Sequence, residues 1–197
     1  QSGEWEKAYY TCQQINDPER LADVVEAAGT PMLQHALTTL ENWVNSLPPS
    51  LIRVRTRLVS LRGAITISKG DTREALSLLN EAIAASRQDT DLNGLTLALV
   101  RRAVAHRATG NYEASLKDAE EALQLTETHP ELQPTFAEAL RLKGANLYRL
   151  GHALEAIKYI EHSLALFTAL NETGSIPWLQ LEAGMVYGSL GDVEAAK

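Results

Sequence analysis

Nucleophiles, metal ligands and acid–base pairs are the side chains of this chain that could do chemistry, and their spacing supports little of it. The five histidines are His35, His106, His129, His152 and His162. No pair has the His-Glu-x-x-His spacing that sets two imidazoles on one helix face around a zinc ion. His152 and His162 are close enough along one turn and helix to share a face, but isolated imidazoles on polar helices read as solvated. Cys12 is the only cysteine, which excludes an internal disulfide and a cysteine-rich metal site. It reads as a small buried apolar side chain rather than a nucleophile. Glu120-Glu121 and Glu19-Arg20 read as wet helix faces, not as acid–base pairs. The chain contains no Gly-x-x-x-x-Gly-Lys phosphate loop and no Gly-x-Ser-x-Gly elbow. No catalytic residue, metal or cofactor is expected, and the chain reads as non-enzymatic.

The elements that would position any other site are helical. Asp17-Pro18 starts a helix, with a capping aspartate and proline at the first helical position. Leu21, Val24, Val25 and Ala28 follow at helical spacing, and Gly29 is expected to stop it. Thr30-Pro31 is expected to start another, with Leu33, Leu37, Leu40 and Val44 as its apolar stripe, ended by Pro48-Pro49. Further helices are expected near 50–68, 72–87, 91–109, 112–128, 131–149, 153–170 and 175–189. Nothing alternates with the period of a strand, so no sheet is placed.

Four glycines lead similar phrases. Gly70-Asp-Thr-Arg-Glu-Ala75 and Gly110-Asn-Tyr-Glu-Ala-Ser115 are followed by Gly151-His-Ala-Leu-Glu-Ala156 and Gly191-Asp-Val-Glu-Ala-Ala196. The glycines lie 40, 41 and 40 residues apart, and such a period marks a helical solenoid. A small residue precedes each glycine by seven positions: Gly63, Ala103, Gly144 and Gly184. Another follows twelve positions after the first three: Ala82, Ala122 and Ser163. Small side chains at fixed places let antiparallel helices approach closely. The glycine suits the left-handed residue that ends a helix, and Asp71, Asn111 or Asp192 next to it suits the cap of the following one.

This spacing resembles the tetratricopeptide repeat, with Tyr148, Leu140 and Leu99 near that family's aromatic and aliphatic positions. The family's early tryptophan is absent; Val59, Leu99, Leu140 and Gln180 stand there. The period is also longer than the family's ~34 residues. The resemblance implies an all-α, right-handed superhelical solenoid of antiparallel helix pairs. The chain is then one repeat domain over 1–197. It has an N-terminal helical arm at 1–49 and repeats at 50–90, 91–130 and 131–174, with a truncated repeat at 175–197.

The N-terminal third carries a second resemblance. Leu40-Glu-Asn-Trp43 leads to Leu47-Pro48, and Arg57-Leu-Val-Ser-Leu61 leads to Gly63-Ala64. This is similar to the sensor region of MalT-like transcriptional regulators, signal-transduction ATPases of the LuxR type. In that family a central repeat domain takes part in inducer recognition and self-association. The resemblance implies a non-catalytic effector-sensing module of a bacterial regulator. A generic scaffold domain for protein–protein interaction is the alternative, and a substrate-recognition module attached to an enzyme is the third reading.

In the tetratricopeptide fold the first helix of each pair lines the concave face. The resemblance thus puts Arg57, Arg107, Glu138, Arg141, Tyr148, Arg149 and Trp178 on that face. Arginine forks suit carboxylate or phosphate, and aromatics offer flat apolar area. The implied ligand is a protein partner, a peptide or a small-molecule inducer; alternatively these arginines are simply solvated and Trp178 packs on its neighbour. The family's clamp for acidic chaperone tails needs an asparagine six residues before the turn glycine. Ala64, Val104, Ala145 and Met185 stand there, so that mode is disfavoured.

Net charge is −7 over 197 residues and the isoelectric point about 5.3. This argues against direct nucleic-acid or membrane-surface binding, which want a basic face. No apolar run approaches the ~20 residues of a membrane span. The lone cysteine and the lack of a signal sequence fit a cytoplasmic setting.

Overall fold

The computed structural model describes residues 2–191. It is all-α, with no strand among the described residues. The helices are α1 (Ser2–Gln14), α2 (Pro18–His35), α3 (Leu37–Ser46), α4 (Pro49–Val54), α5 (Thr56–Ser68) and α6 (Thr72–Gln88). They continue as α7 (Leu92–Ala108), α8 (Tyr112–Thr126), α9 (Gln133–Arg149), α10 (Ala153–Ala169) and α11 (Ile176–Leu190). Short 3₁₀ turns at Pro130–Leu132 and Thr173–Ser175 lead into α9 and α11. The chain divides into two compact units, 1–98 and 99–197, with the boundary inside α7.

The repeated turn has one design. Gly70, Gly110, Gly151 and Gly191 have φ of 88°, 76°, 90° and 81°. At Gly110 the glycine N–H donates to the Arg107 carbonyl at 3.0 Å and the Asn111 N–H to the His106 carbonyl at 2.9 Å. These two bonds are a Schellman ending, and Gly70 and Gly151 repeat them. The residue after the glycine then starts the next helix. Asp71 accepts from the Glu74 N–H at 3.0 Å and Asn111 from the Ala114 N–H at 3.2 Å. His152 makes no such side-chain cap. The cap at Asp192 and the small residue Ala196 lie outside the described residues.

In the first unit the core gathers Met32, Leu40, Trp43, Val44, Leu58 and Leu61. Tyr9 stacks on Trp43 with ring centroids 4.2 Å apart, and its hydroxyl meets Ser46 Oγ at 2.7 Å. The small residues do what their spacing implies. A Cβ on Gly63 would lie 2.8 Å from Leu79 Cγ, so α5 and α6 touch at that point. Ala75 and Ala82 on α6 are fully or almost fully buried.

Three expected boundaries are corrected. Gly29 does not stop α2, which continues to His35. Gly29 is buried, and a Cβ there would meet Leu61 Cδ1 at 3.0 Å, so its smallness serves packing. Pro31 does not start a helix but sits within α2. Pro31 and Ala27, the residue whose carbonyl it cannot bond, are both exposed, so the lost bond falls on the wet side. The break comes instead at Ala36, with φ −145° and ψ 44°. The helix expected over 50–68 is likewise divided at Arg55, whose backbone is extended. The Arg55 guanidinium reaches Glu19 and Asp23 on α2, each at 2.6 Å, which anchors the break.

The second unit has a core of Ala137, Ile157, Ile160, Phe167, Leu179 and Val186. A Cβ on Gly144 would lie 2.7 Å from Ile160 Cγ1 and 2.9 Å from the Ala156 carbonyl. Buried serines replace alanine at two small positions and tie neighbouring helices by hydrogen bonds. Ser115 Oγ donates to the Ala103 carbonyl and Ser163 Oγ to the Ala137 carbonyl, both at 2.7 Å. Arg102 on α7 forks onto Asp118 on α8, with bonds of 2.8 and 2.7 Å.

Candidate partner-binding face

In the second unit, α7, α9 and α11 bring the expected side chains together. Arg107 Nη2 on α7 donates to Glu182 Oε1 on α11 at 3.0 Å. The same oxygen lies 3.5 Å from Arg141 Nη1 on α9. Arg141 also grips Glu138 one turn earlier, with Nε and Nη2 donating at 2.9 and 2.5 Å. Burial works to lower the Arg141 pKa, but Glu138 and Glu182 outweigh it and hold the guanidinium above its ordinary value. These arginines are thus engaged by carboxylates of the chain itself rather than simply solvated.

An apolar strip lies beside this cluster. Trp178, Leu181 and Met185 on α11 are 67%, 54% and 41% exposed. They recur at helical spacing, while Leu179, Glu182 and Val186 on the same helix are buried. The Tyr148 hydroxyl of α9 donates to the Met185 carbonyl at 3.4 Å and so borders the strip. Arg149 is exposed.

Arg57 belongs to the first unit and is engaged there. Its Nε and Nη2 donate to Asp91 Oδ2 and Oδ1 at 3.2 and 3.0 Å. Asp91 also caps α7, accepting from the Gly94 N–H at 3.0 Å. Burial acts to raise the Asp91 pKa, but the Arg57 fork and the Gly94 amide outweigh it, leaving it below the usual carboxylate value.

Sequence reasoning missed Glu182. It stands nine residues before its turn glycine, where the other repeats hold Leu61, Arg101 and Leu142. Both leucines are almost fully buried, so a charge at this position signals a paired, enclosed side chain. No group of three or more His, Cys, Asp or Glu side chains that could hold a metal ion occurs among the described residues. His106 sits 3.9 Å from Asp118, and burial, outweighing that aspartate, holds it below its ordinary pKa. A shallow depression along α10, lined by Leu154, Glu155, Lys158, Tyr159 and His162, draws all its residues from one helix. It lacks the convergence of elements that the α7–α9–α11 face has.

The fold resembles that of tetratricopeptide-type helical-repeat proteins. Residues 97–129 match the tetratricopeptide repeat family. No curated protein matches the chain. Among solved structures, BtubC (BKLC) from P. vanneervenii superposes with a TM-score of 0.68 at 16% identity, covering 98% of this chain and 84% of that one. A Podosopora anserina putative kinesin light chain with nearly identical TPR-like repeats gives a TM-score of 0.54 at 16% identity, over 98% and 90%. A second crystal structure of those repeats, carrying one substitution, gives 0.56 at 15%, over 98% and 89%. At these identities the likeness is one of fold. Among the described residues, no helix is long and apolar enough to cross a membrane.

Proposed function

We propose that this chain is a non-catalytic repeat module that binds a protein or peptide partner through the α7–α9–α11 face. The observation that carries the reading is the apolar strip of Trp178, Leu181 and Met185, exposed beside Tyr148 and a cluster of paired charges. Exposed aromatic and aliphatic side chains rimmed by polar groups are how interaction surfaces present themselves. The repeat fold agrees, since stacked helix pairs ordinarily serve as binding scaffolds. We read the whole of 1–197 as one such module, in a cytoplasmic setting and without direct nucleic-acid contact.

The test is selection of binding peptides from a displayed library, followed by hydrogen exchange. Selected peptides are expected to protect α7, α9 and α11. Protection confined to α8 and α10 would refute the assignment.

A finer reading makes the module the effector-sensing domain of a MalT-like regulator. It rests on the sequence resemblance of residues 40–48 and 57–64. Its ligand would be a small inducer, and self-association would respond to it. Sedimentation with and without candidate sugars tests this; a mass that no inducer changes speaks for the scaffold reading.

A further inference from the structure

Arg107 and Glu182 lie 75 residues apart, on helices separated in the chain by α8, α9 and α10. In the second unit α11 packs chiefly on α10, with only slight packing on α9. Long side chains span what backbones do not. Glu182 holds Arg107 at 3.0 Å and also faces Arg141 at 3.5 Å, so one carboxylate ties α7, α9 and α11. The side chains of Glu182, Arg141 and Arg107 are 11%, 14% and 29% exposed. Pairs at that depth are only weakly screened by salt.

The arrangement is not what stability alone would select. Leu61 and Leu142 occupy the equivalent positions of two other repeats and need no partner. A carboxylate must be desolvated, and a well-packed apolar residue is often no less stable there. Glu182 Oε2 is moreover buried with no hydrogen-bond partner.

We propose that the Arg107–Glu182 pair is a latch that fixes the spacing of α7 and α11, and with it the width of the partner-binding face. The inference rests on the reading of that face for its consequence, not for its geometry. A partner group that takes Arg107 must first displace Glu182, so binding at this face and opening of the latch are coupled.

The experiment reads shape rather than stability, because any buried ion pair would alter stability. Nitroxide labels at Thr109→Cys and Ser189→Cys, in a Cys12→Ala background, report the distance between the ends of α7 and α11. Pulsed electron resonance on the full chain gives its distribution. Arg107→Gln should broaden the distribution and lengthen its mean, with helix content by circular dichroism unchanged. Arg107→Lys should fall between, and Lys117→Gln on α8 should match the parent. Glu182→Gln serves as the deciding variant if Arg107→Gln loses helix content. Distributions for Arg107→Gln or Glu182→Gln that superimpose on the parent overturn the latch. That outcome leaves partner binding standing, since the displayed-peptide selection reads it separately.

Discussion

The Asn146 amide of α9 donates to the Ser115 hydroxyl of α8 at 2.7 Å, and both side chains are fully buried. The Ser115 hydroxyl in turn donates to the Ala103 carbonyl of α7. One short polar chain therefore joins three successive helices inside the second unit. Ser115→Ala leaves the Asn146 amide unpaired in the core, where Asn146 Oδ1 already has no partner. The expected cost is about 1–3 kcal/mol, the penalty for a buried unsatisfied group. Urea denaturation measures it; an unchanged midpoint would show that the network carries no net stability.

The small-residue lattice predicts opposite outcomes for two glycines. Gly144→Ala drives a Cβ into Ile160 and the Ala156 carbonyl, so overpacking should cost roughly 1–3 kcal/mol. Gly188 has nothing within 4 Å of where its Cβ would be. Gly188→Ala should be neutral or stabilise by up to about 1 kcal/mol, the helix-propensity difference. Thermal melts in which Gly144→Ala falls below the parent and Gly188→Ala does not check the pairing of α9 with α10.

Thr90 turns between α6 and α7 with φ of 54°. A β-branched residue in the left-handed region is strained. Thr90→Asn keeps a polar side chain and tolerates that backbone, so it should stabilise by about 0.5–1 kcal/mol. Gly151→Ala, at φ of 90° with no steric neighbour, should cost about 1–2 kcal/mol through backbone conformation alone. Denaturation midpoints that fail to separate in these directions would contradict the turn geometry.

Acid should act through Asp91. Its folded pKa lies below the ordinary carboxylate value, so its contribution is complete above about pH 4, the unfolded value, and fades as pH falls through the folded one. Asp91→Asn should destabilise the chain at pH 7, and the gap from the parent should close toward pH 3. Glu26 works the other way, because burial first, against Arg55 and Arg57, holds its pKa above the ordinary value. Comparing variant with parent at each pH isolates Asp91; a gap independent of pH would refute its pairing with Arg57.

Much of this architecture was legible because the turn demands particular residues. Glycine at the left-handed position and Asp71 or Asn111 at the cap are local requirements. The other turns use Asn16, Thr90 and Asn171, at φ of 53°, 54° and 55°. Without glycine they left no clear mark. The break at Arg55 was hidden because its cause, the acidic edge of α2, lies 29 to 36 residues away in the chain. Gly29 was misread because smallness serves both turns and close packing. The helices that carry Arg107, Arg141 and Trp178 were legible through repeat register, whereas the partners of the arginines were not. Glu182 lies at a position that the register assigns to the core, and only the folded chain shows it facing Arg107.

The central claim is that partners dock on the face of α7, α9 and α11. It is tested most directly by titrating a library-selected peptide, by calorimetry, into the parent and into Tyr148→Ala, Trp178→Ala and Lys117→Ala. Truncating an interface anchor typically costs about 2 kcal/mol or more, so Trp178→Ala should weaken binding by roughly 30-fold or more, since ~1.4 kcal/mol is tenfold. Tyr148→Ala should also weaken it, and Lys117→Ala, on α8 outside that face, should leave affinity within about twofold. Loss of binding in Lys117→Ala with Trp178→Ala and Tyr148→Ala unchanged would contradict the account and move the functional surface to α8 and α10.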